Sequence, residues 1–231
     1  MDYLALCVRT AQECGVPNST LTTVSGQTGQ LKRVCDWVNT AWEDIQTAHQ
    51  DWNWMRTSTS WATVDGTYAY PLGSGAGTVN VSVATFGMWD RITFRNYVTA
   101  SGVNSEIVMG YLDYDEWRDN YLISGTRDTR TRPMDFAIGP NKTIYLGPVP
   151  SAGYTITADY FTAPLDMTAD ADIPALPAQF HMLIVWKAMM HYGAFYAATE
   201  VYQRGEMEFA KLMRRLDADR LPEIGFAGAL A

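Results

Sequence analysis

With 231 residues, 47% of them hydrophobic and 13% aromatic, the chain can form one large domain or two small ones around a substantial core. Its formal net charge of −8, from 17 Lys and Arg against 25 Asp and Glu, excludes generic capture of nucleic acid, which needs cations gathered on one face. Eight Trp and thirteen Tyr suit a protein that buries part of its surface against partners.

The opening "MDYLALCVRTAQECG" has neither the basic region nor the long apolar region of a signal peptide. No later stretch reaches the ~18 apolar residues of a membrane span, so a soluble protein made in a cytoplasm, with no membrane partner, is expected. Residues 2–14 carry Leu4, Cys7, Val8 and Ala11 at helical spacing and stop at Gly15 and Pro17. Cys7, Cys14 and Cys35 are an odd set without a C-x-x-C spacing, which points to reduced, buried thiols. From Leu31 the positions Val34, Cys35, Val38, Trp42, Ile45 and Trp52 continue one apolar stripe, which predicts a helix of about six turns.

At "WNWMRTSTSWATVDGTYAYPL" the period becomes strand-like, and Asp65-Gly66 predicts a hairpin between short strands. The Gly-rich 73–77 reads as a flexible loop tip, followed by strand candidates at 78–85 and 89–95. In "YLDYDEWRDNYL", Asp113 and Glu116 stand as a helix N-cap and its third-position partner, which predicts a short helix over 113–122. "RPMDFAIGPNKTIYLGPVPSAGYTITADYF" reads as three strands separated by a Gly-Pro-Asn-Lys turn and a Pro/Gly turn. An acidic linker follows, then a helix over Phe180–Ala198 that is apolar nearly all round, then a second helix carrying Tyr202, Phe209, Leu212, Met213 and Leu216 on one face. The expected segments are N-terminal helices (1–56), a β-rich unit (57–165), C-terminal helices (166–220) and an extended tail (221–231). The fold class is therefore α+β, a helical bundle from the N- and C-terminal helices with an inserted antiparallel β-rich unit.

Candidates for chemistry dissolve under their own spacing. On one helix His181 and His191 lie about 15 Å apart and point about 80° apart, too far for one metal ion, and no cysteine pattern supplies ligands. The cluster Asp113, Asp115, Glu116 and Asp119 opens like a calcium loop but carries Arg118 where the loop needs Gly and Ser124 where it needs Glu. Asp166, Asp170 and Asp172 read as a polar linker, although a glycosidase pair is an alternative for the two acidic clusters. No nucleophile elbow or phosphate-cradling loop is present, so no catalytic residue, metal or cofactor is expected. The one local concentration of cations is "GTRDTRTRP", where Arg127, Arg130 and Arg132 form a candidate contact loop for carboxylates or a DNA phosphate.

The run "IYLGPVP", then "YTITADYF", then "DIPALP" before an aromatic-rich helix resembles the head-to-tail adaptor proteins of tailed bacteriophages, the tail-tubular or gatekeeper ring beneath the portal. The exit from the long helix through Trp-rich sequence into Gly66, Thr67, Tyr70 and Leu72 is similar to that family too, and the likeness covers about residues 30–215. The resemblance implies a non-enzymatic virion protein at the head-tail junction, a homo-oligomeric ring commonly of twelve copies. It implies a portal protein at one end, a tail or nozzle protein at the other, and DNA passing through the lumen without specific binding. It also makes the C-terminal tail, with Glu223 and Phe226, an arm reaching towards the portal. A cell-wall glycosidase working through Glu116 and Asp172, and a carbohydrate-binding β module, are the alternatives.

Overall fold

The computed structural model describes residues 1–17, 21–151 and 153–220. The chain divides into two units: one holds Met1–Met55 and the chain from Pro164 onward, and the other holds Arg56–Ala163. Helices and mostly antiparallel sheets make it an α+β protein, the class expected.

In the first unit α1 (Tyr3–Glu13) starts where the Asp2 carboxylate accepts the Ala5 amide at 2.8 Å, and it buries Leu6, Cys7, Thr10 and Ala11. Helix α2 (Gly29–Ala48) buries the expected stripe of Val34, Cys35, Val38, Trp42 and Ile45. It is shorter than its stripe, because His49 is extended and Trp52 lies beyond the helix. Trp52 is still fully buried: its Nε1 donates to the Ile45 carbonyl at 3.0 Å, satisfying one of the last-turn acceptors, and its ring stacks on Trp54, which stacks on Trp42. Helix α4 (Met182–Tyr196; α3 belongs to the other unit, below) packs against α1, α2 and α5 (Thr199–Arg220), which is why its apolar residues run nearly all round. At the turn into α5, Ala197 takes a left-handed φ of 53°.

The acidic stretch after Pro164 is not a solvated linker. The side-chain amide of Gln46 accepts from the Leu165 N–H (3.0 Å) and donates to its carbonyl (3.2 Å), and Trp42 Nε1 donates to the same carbonyl at 2.8 Å. Asn39 makes the same two-way pairing with Met167 at 3.1 and 2.8 Å. Asn39 and Gln46 are seven residues, two turns, apart, so one face of α2 receives an extended segment as a neighbouring strand would. The carbonyls of Asp170 and Asp172 then accept the first amides of α1, from Leu4 and Tyr3.

In the second unit β1 (Arg56–Ala62) pairs antiparallel with β11 (Tyr154–Thr162) along its whole length, Arg56 opposite Phe161 and Ala62 opposite Thr155. The other edge of β11 pairs with β3 (Phe86–Trp89) and β4 (Arg95–Val98), and β4 pairs with β5 (Ile107–Val108). A second sheet has the order β2 (Ala69–Tyr70), β9 (Ile144–Gly147), β8 (Asp135–Ile138), β6 (Gly110–Tyr111), and β7 (Arg130–Thr131) pairs with β10 (Val149–Pro150). Trp61, Phe94 and Ile156 of the first sheet share one core with Tyr70, Phe136 and Leu146 of the second, and Phe94 and Phe136 stack at 3.8 Å.

Three local expectations fail here. The turn at Asp65-Gly66 forms, with the Thr67 amide bonded to the Val64 carbonyl at 3.0 Å, but it joins strands of different sheets, so there is no β1–β2 hairpin. Residues 78–85 contribute an isolated bridge between Gly73 and Val81, because Asn80 has a φ of 30° and breaks the strand. The candidate at 89–95 is a turn between β3 and β4. The short helix is present as α3 (Tyr114–Tyr121) with Asp113 at its N-cap, yet the Asp113 side chain makes no capping bond and accepts from the Tyr111 hydroxyl at 3.2 Å.

Candidate interaction surfaces

The residues that could have done chemistry are held by their neighbours. His181 is 3% exposed and its Nε2 donates to the Leu176 carbonyl at 2.9 Å, with burial pushing its pKa below the usual imidazole value. His191 meets Asp44 at 3.1 Å, and Lys187 reaches the same carboxylate oxygen at 3.2 Å, so Asp44 ties α2 to α4. His49 faces Asp217 at 3.4 Å. Among the described residues no three His, Cys, Asp or Glu side chains form a group that could hold a metal ion, and no helix is long and apolar enough to cross a membrane.

Two of the three linker carboxylates serve the backbone. Asp170 Oδ1 accepts from the Val24 amide (2.6 Å) and the Thr23 hydroxyl (3.2 Å). Asp172 Oδ2 accepts from the amides of Ala169 and Thr168, which hold its pKa below the carboxylate range. Cys7, Cys14 and Cys35 are buried and unpaired in disulfides.

The three arginines of the basic loop do not converge. Arg127 donates to the Leu122 carbonyl at the end of α3 (3.1 Å), and Arg130 pairs with Asp65 at 3.0 Å with about half of its side chain exposed. Arg132 turns inward, donating to both the side-chain oxygen (2.6 Å) and the carbonyl (2.9 Å) of the fully buried Asn96 and to the Ser105 carbonyl. Asn96 in turn donates to the Pro133 carbonyl at 2.7 Å, so Arg132 fixes the loop to β4. Glu223 and Phe226 lie outside the described residues.

A surface that the sequence reading missed lies at one end of the α2 and α4 pair. Trp37 meets Tyr192 (5.8 Å) and Tyr196 (6.1 Å) edge-on and Phe195 at 5.6 Å. The Arg33 guanidinium sits 4.6 Å from the centre of the Phe195 ring and donates to the Tyr196 hydroxyl at 3.3 Å. Phe195 is 56% exposed and Tyr196 39%. Trp, Tyr and Arg held in one another's contact are the residue types that anchor protein interfaces, since they bring large area at little entropic cost. Trp37 off the buried stripe of an amphipathic helix was the available signal.

The model of the SU10 adaptor protein family matches residues 1–225. The chain belongs to the SU10 adaptor protein family. The resemblance to phage head-to-tail adaptors seen in the sequence therefore holds at the level of the family, and this adaptor is a structural phage protein and a virion component. No match was found among curated proteins.

Proposed function

We propose that this adaptor is a non-enzymatic ring at the head-tail junction, with the portal protein at one end, a tail or nozzle protein at the other, and the DNA exit channel through its lumen. Family membership over residues 1–225 carries this reading. Twelve copies is the stoichiometry the resemblance implies. In this reading α1, α2, α4 and α5 form a helical bundle that makes the ring and meets the portal, and Arg56–Ala163 is a β-rich unit inserted into it that faces the tail. The Trp37, Phe195 and Tyr196 patch with Arg33 supports a protein contact on the helical side. Arg127 and Arg130, exposed on the β-rich unit, are candidate contacts there; Arg132, by its internal bonds, supports the loop that carries them. Glu223 and Phe226 are candidate contacts of the C-terminal segment with the portal. The net charge of −8 favours a lumen that passes DNA without holding it.

Mass photometry of the purified full chain, alone and with its cognate portal, tests the reading. It expects discrete ring-sized species, at least on the portal; the absence of both self-assembly and portal binding would remove it.

A further inference from the structure

A cleft of about 260 Å³ separates β1 from the chain that leaves the Gly-rich loop, with Ser60, Trp61 and Ala62 on one wall and Thr78 and Asn80 on the other. On β1 the hydrogen-bonding phase is set by the Thr63 amide, which donates to the Tyr154 carbonyl at 2.8 Å. Backbone groups alternate sides along a strand, so those of Thr57, Thr59 and Trp61 point to β11 and those of Ser58, Ser60 and Ala62 point away from it, to the side of the cleft. On the facing wall the Val79 amide donates to the Pro71 carbonyl and the Val81 amide to the Gly73 carbonyl, both at 3.0 Å. The residues between and beside them, Thr78, Asn80 and Ser82, therefore turn their backbone towards β1, and the Asn80 carbonyl accepts from the Thr59 hydroxyl at 3.5 Å. Among the described residues no backbone hydrogen bond crosses the cleft.

The two walls already match as neighbouring strands do. Asn80 lies beside Thr59, and Gly75, Ala76 and Thr78 share the cleft with β1 only from Ser60 onward, so the segment runs antiparallel to β1. Val79 and Val81 are buried in the same core as Trp61, whereas Asn80 and Ser60 are exposed, so the faces agree as well. Direction, phase and face together give one register: Ser60 opposite Asn80, Ala62 opposite Thr78 and Ser58 opposite Ser82. Alternating Val79, Val81 and Val83 are what a strand favours. The interruption is Asn80, whose φ of 30° is left-handed backbone that asparagine tolerates better than other side chains. Gly75 and Gly77, with φ of 117° and 78°, are the pivots before it. The local bonds at the two ends of the segment are long: the Thr78 amide to the Gly75 carbonyl and the Thr85 amide to the Ser82 carbonyl, both 3.3 Å.

We propose that residues 78–82 are a strap that closes on β1 as an added antiparallel strand, with Asn80 as its catch. Closing takes Asn80 from the left-handed to the extended region, exchanges the long local bonds for ladder bonds at three facing pairs, and removes the cleft. Open edges invite pairing with other chains and are ordinarily blunted by Pro, Lys or a bulge. The edge "RTSTSWA" has none of these, and its register with β11 is unbroken for seven residues. The strap is the cover that this edge has within its own chain, so its position decides whether β1 is sealed or offered. It is independent of ring assembly.

Amide-resolved hydrogen exchange on the full chain tests the strap through two variants of its catch. Asn80→Val puts a β-branched side chain where left-handed backbone is strained and so favours closure, whereas Asn80→Gly holds the open form without steric cost. The amides of Ser58, Ser60 and Ala62 should exchange about tenfold more slowly in Asn80→Val than in Asn80→Gly, while those of Thr57, Thr59 and Trp61, already bonded to β11, should be alike in both. Equal exchange at Ser58, Ser60 and Ala62 in the two folded variants would overturn the proposal. Should Asn80→Val unfold, engineered cysteines decide. Under a mild oxidant, Ser60→Cys with Asn80→Cys on one chain should close an intramolecular disulfide about tenfold faster than Ser58→Cys with Asn80→Cys, since only the facing pair reaches the ~4.4–6.8 Å Cα separation a disulfide needs. Equal rates for the two pairs would mean that the strap has no register on β1 and would overturn the proposal. Either failure leaves the ring reading to its own test.

Discussion

Replacing Gly193 with alanine sets two physical effects against each other. Gly193 and Gly205 lie within α4 and α5, where alanine ordinarily gains about 1 kcal/mol over glycine. A Cβ at Gly193, however, would stand 2.8 Å from both the backbone nitrogen and the Cβ of Tyr202, and one at Gly205 would stand 2.8 Å from the Trp186 carbonyl oxygen. Carbon contacts settle near 3.5–4.0 Å, so either substitution forces the helices apart by roughly 0.6 Å or more. Overpacking of this kind costs about 1–3 kcal/mol, and the parted helices lose contacts along the rest of their length. Because the 2.8 Å contacts include backbone atoms that cannot turn aside, the upper part of that range, about 2–3 kcal/mol, applies; it outweighs the propensity gain by about 1–2 kcal/mol, which lowers the melting temperature by roughly 2–8 °C in a chain of this size. Thermal scans by circular dichroism on Gly193→Ala, Gly205→Ala and the pair would measure it. Both sites press on the same helix contact, so the double variant should lose less than the sum, the first separation having made room for the second methyl. An unchanged or raised melting temperature in the single variants would refute the close-packing argument.

Gln46→Ala should lower the urea midpoint by an amount equivalent to about 1–3 kcal/mol, because the Leu165 N–H loses its acceptor; a midpoint unchanged from wild type would mean that the segment does not depend on the α2 amides. Burial pushes the Cys14 thiol up to about 12, and the bond to Cys35 together with burial raises Cys7; that same bond lowers Cys35, which only its 4% exposure shields, so a thiol reagent at about pH 8 should find no accessible cysteine before denaturation and three after it. His181 has its folded pKa below 6.5, so as pH falls through 6.5 the unfolded chain takes up the proton first and stability drops towards the folded pKa. Melting curves at stepped pH should show that drop in the wild type and a flatter profile in His181→Asn; identical profiles would sink the assignment.

Much of the helical unit was legible in the sequence, since a stripe such as Val34, Val38, Ile45 has no other use than burial on one face. The stripe overshot the end of α2 at Trp52 because a buried Trp beyond a helix and one within it satisfy the same spacing. The β-rich unit was legible at β8 and β9, where a turn joins true neighbours, and illegible at β1. Asp65-Gly66 announces a turn but says nothing of the partner, and β1 pairs with β11, about a hundred residues on. The clamp by Asn39 and Gln46 was invisible because amides on an exposed-looking helix position read as solvated. The basic loop shows the reverse: three similar arginines in sequence have three different fates, and only the fold makes Arg132 internal.

Negative-stain images of the full chain mixed with its cognate portal test the central claim most directly. The account predicts an added ring of density, coaxial with the portal and continuous with its channel. Portal particles indistinguishable from those imaged alone, at concentrations where the chain is folded and in excess, would contradict it.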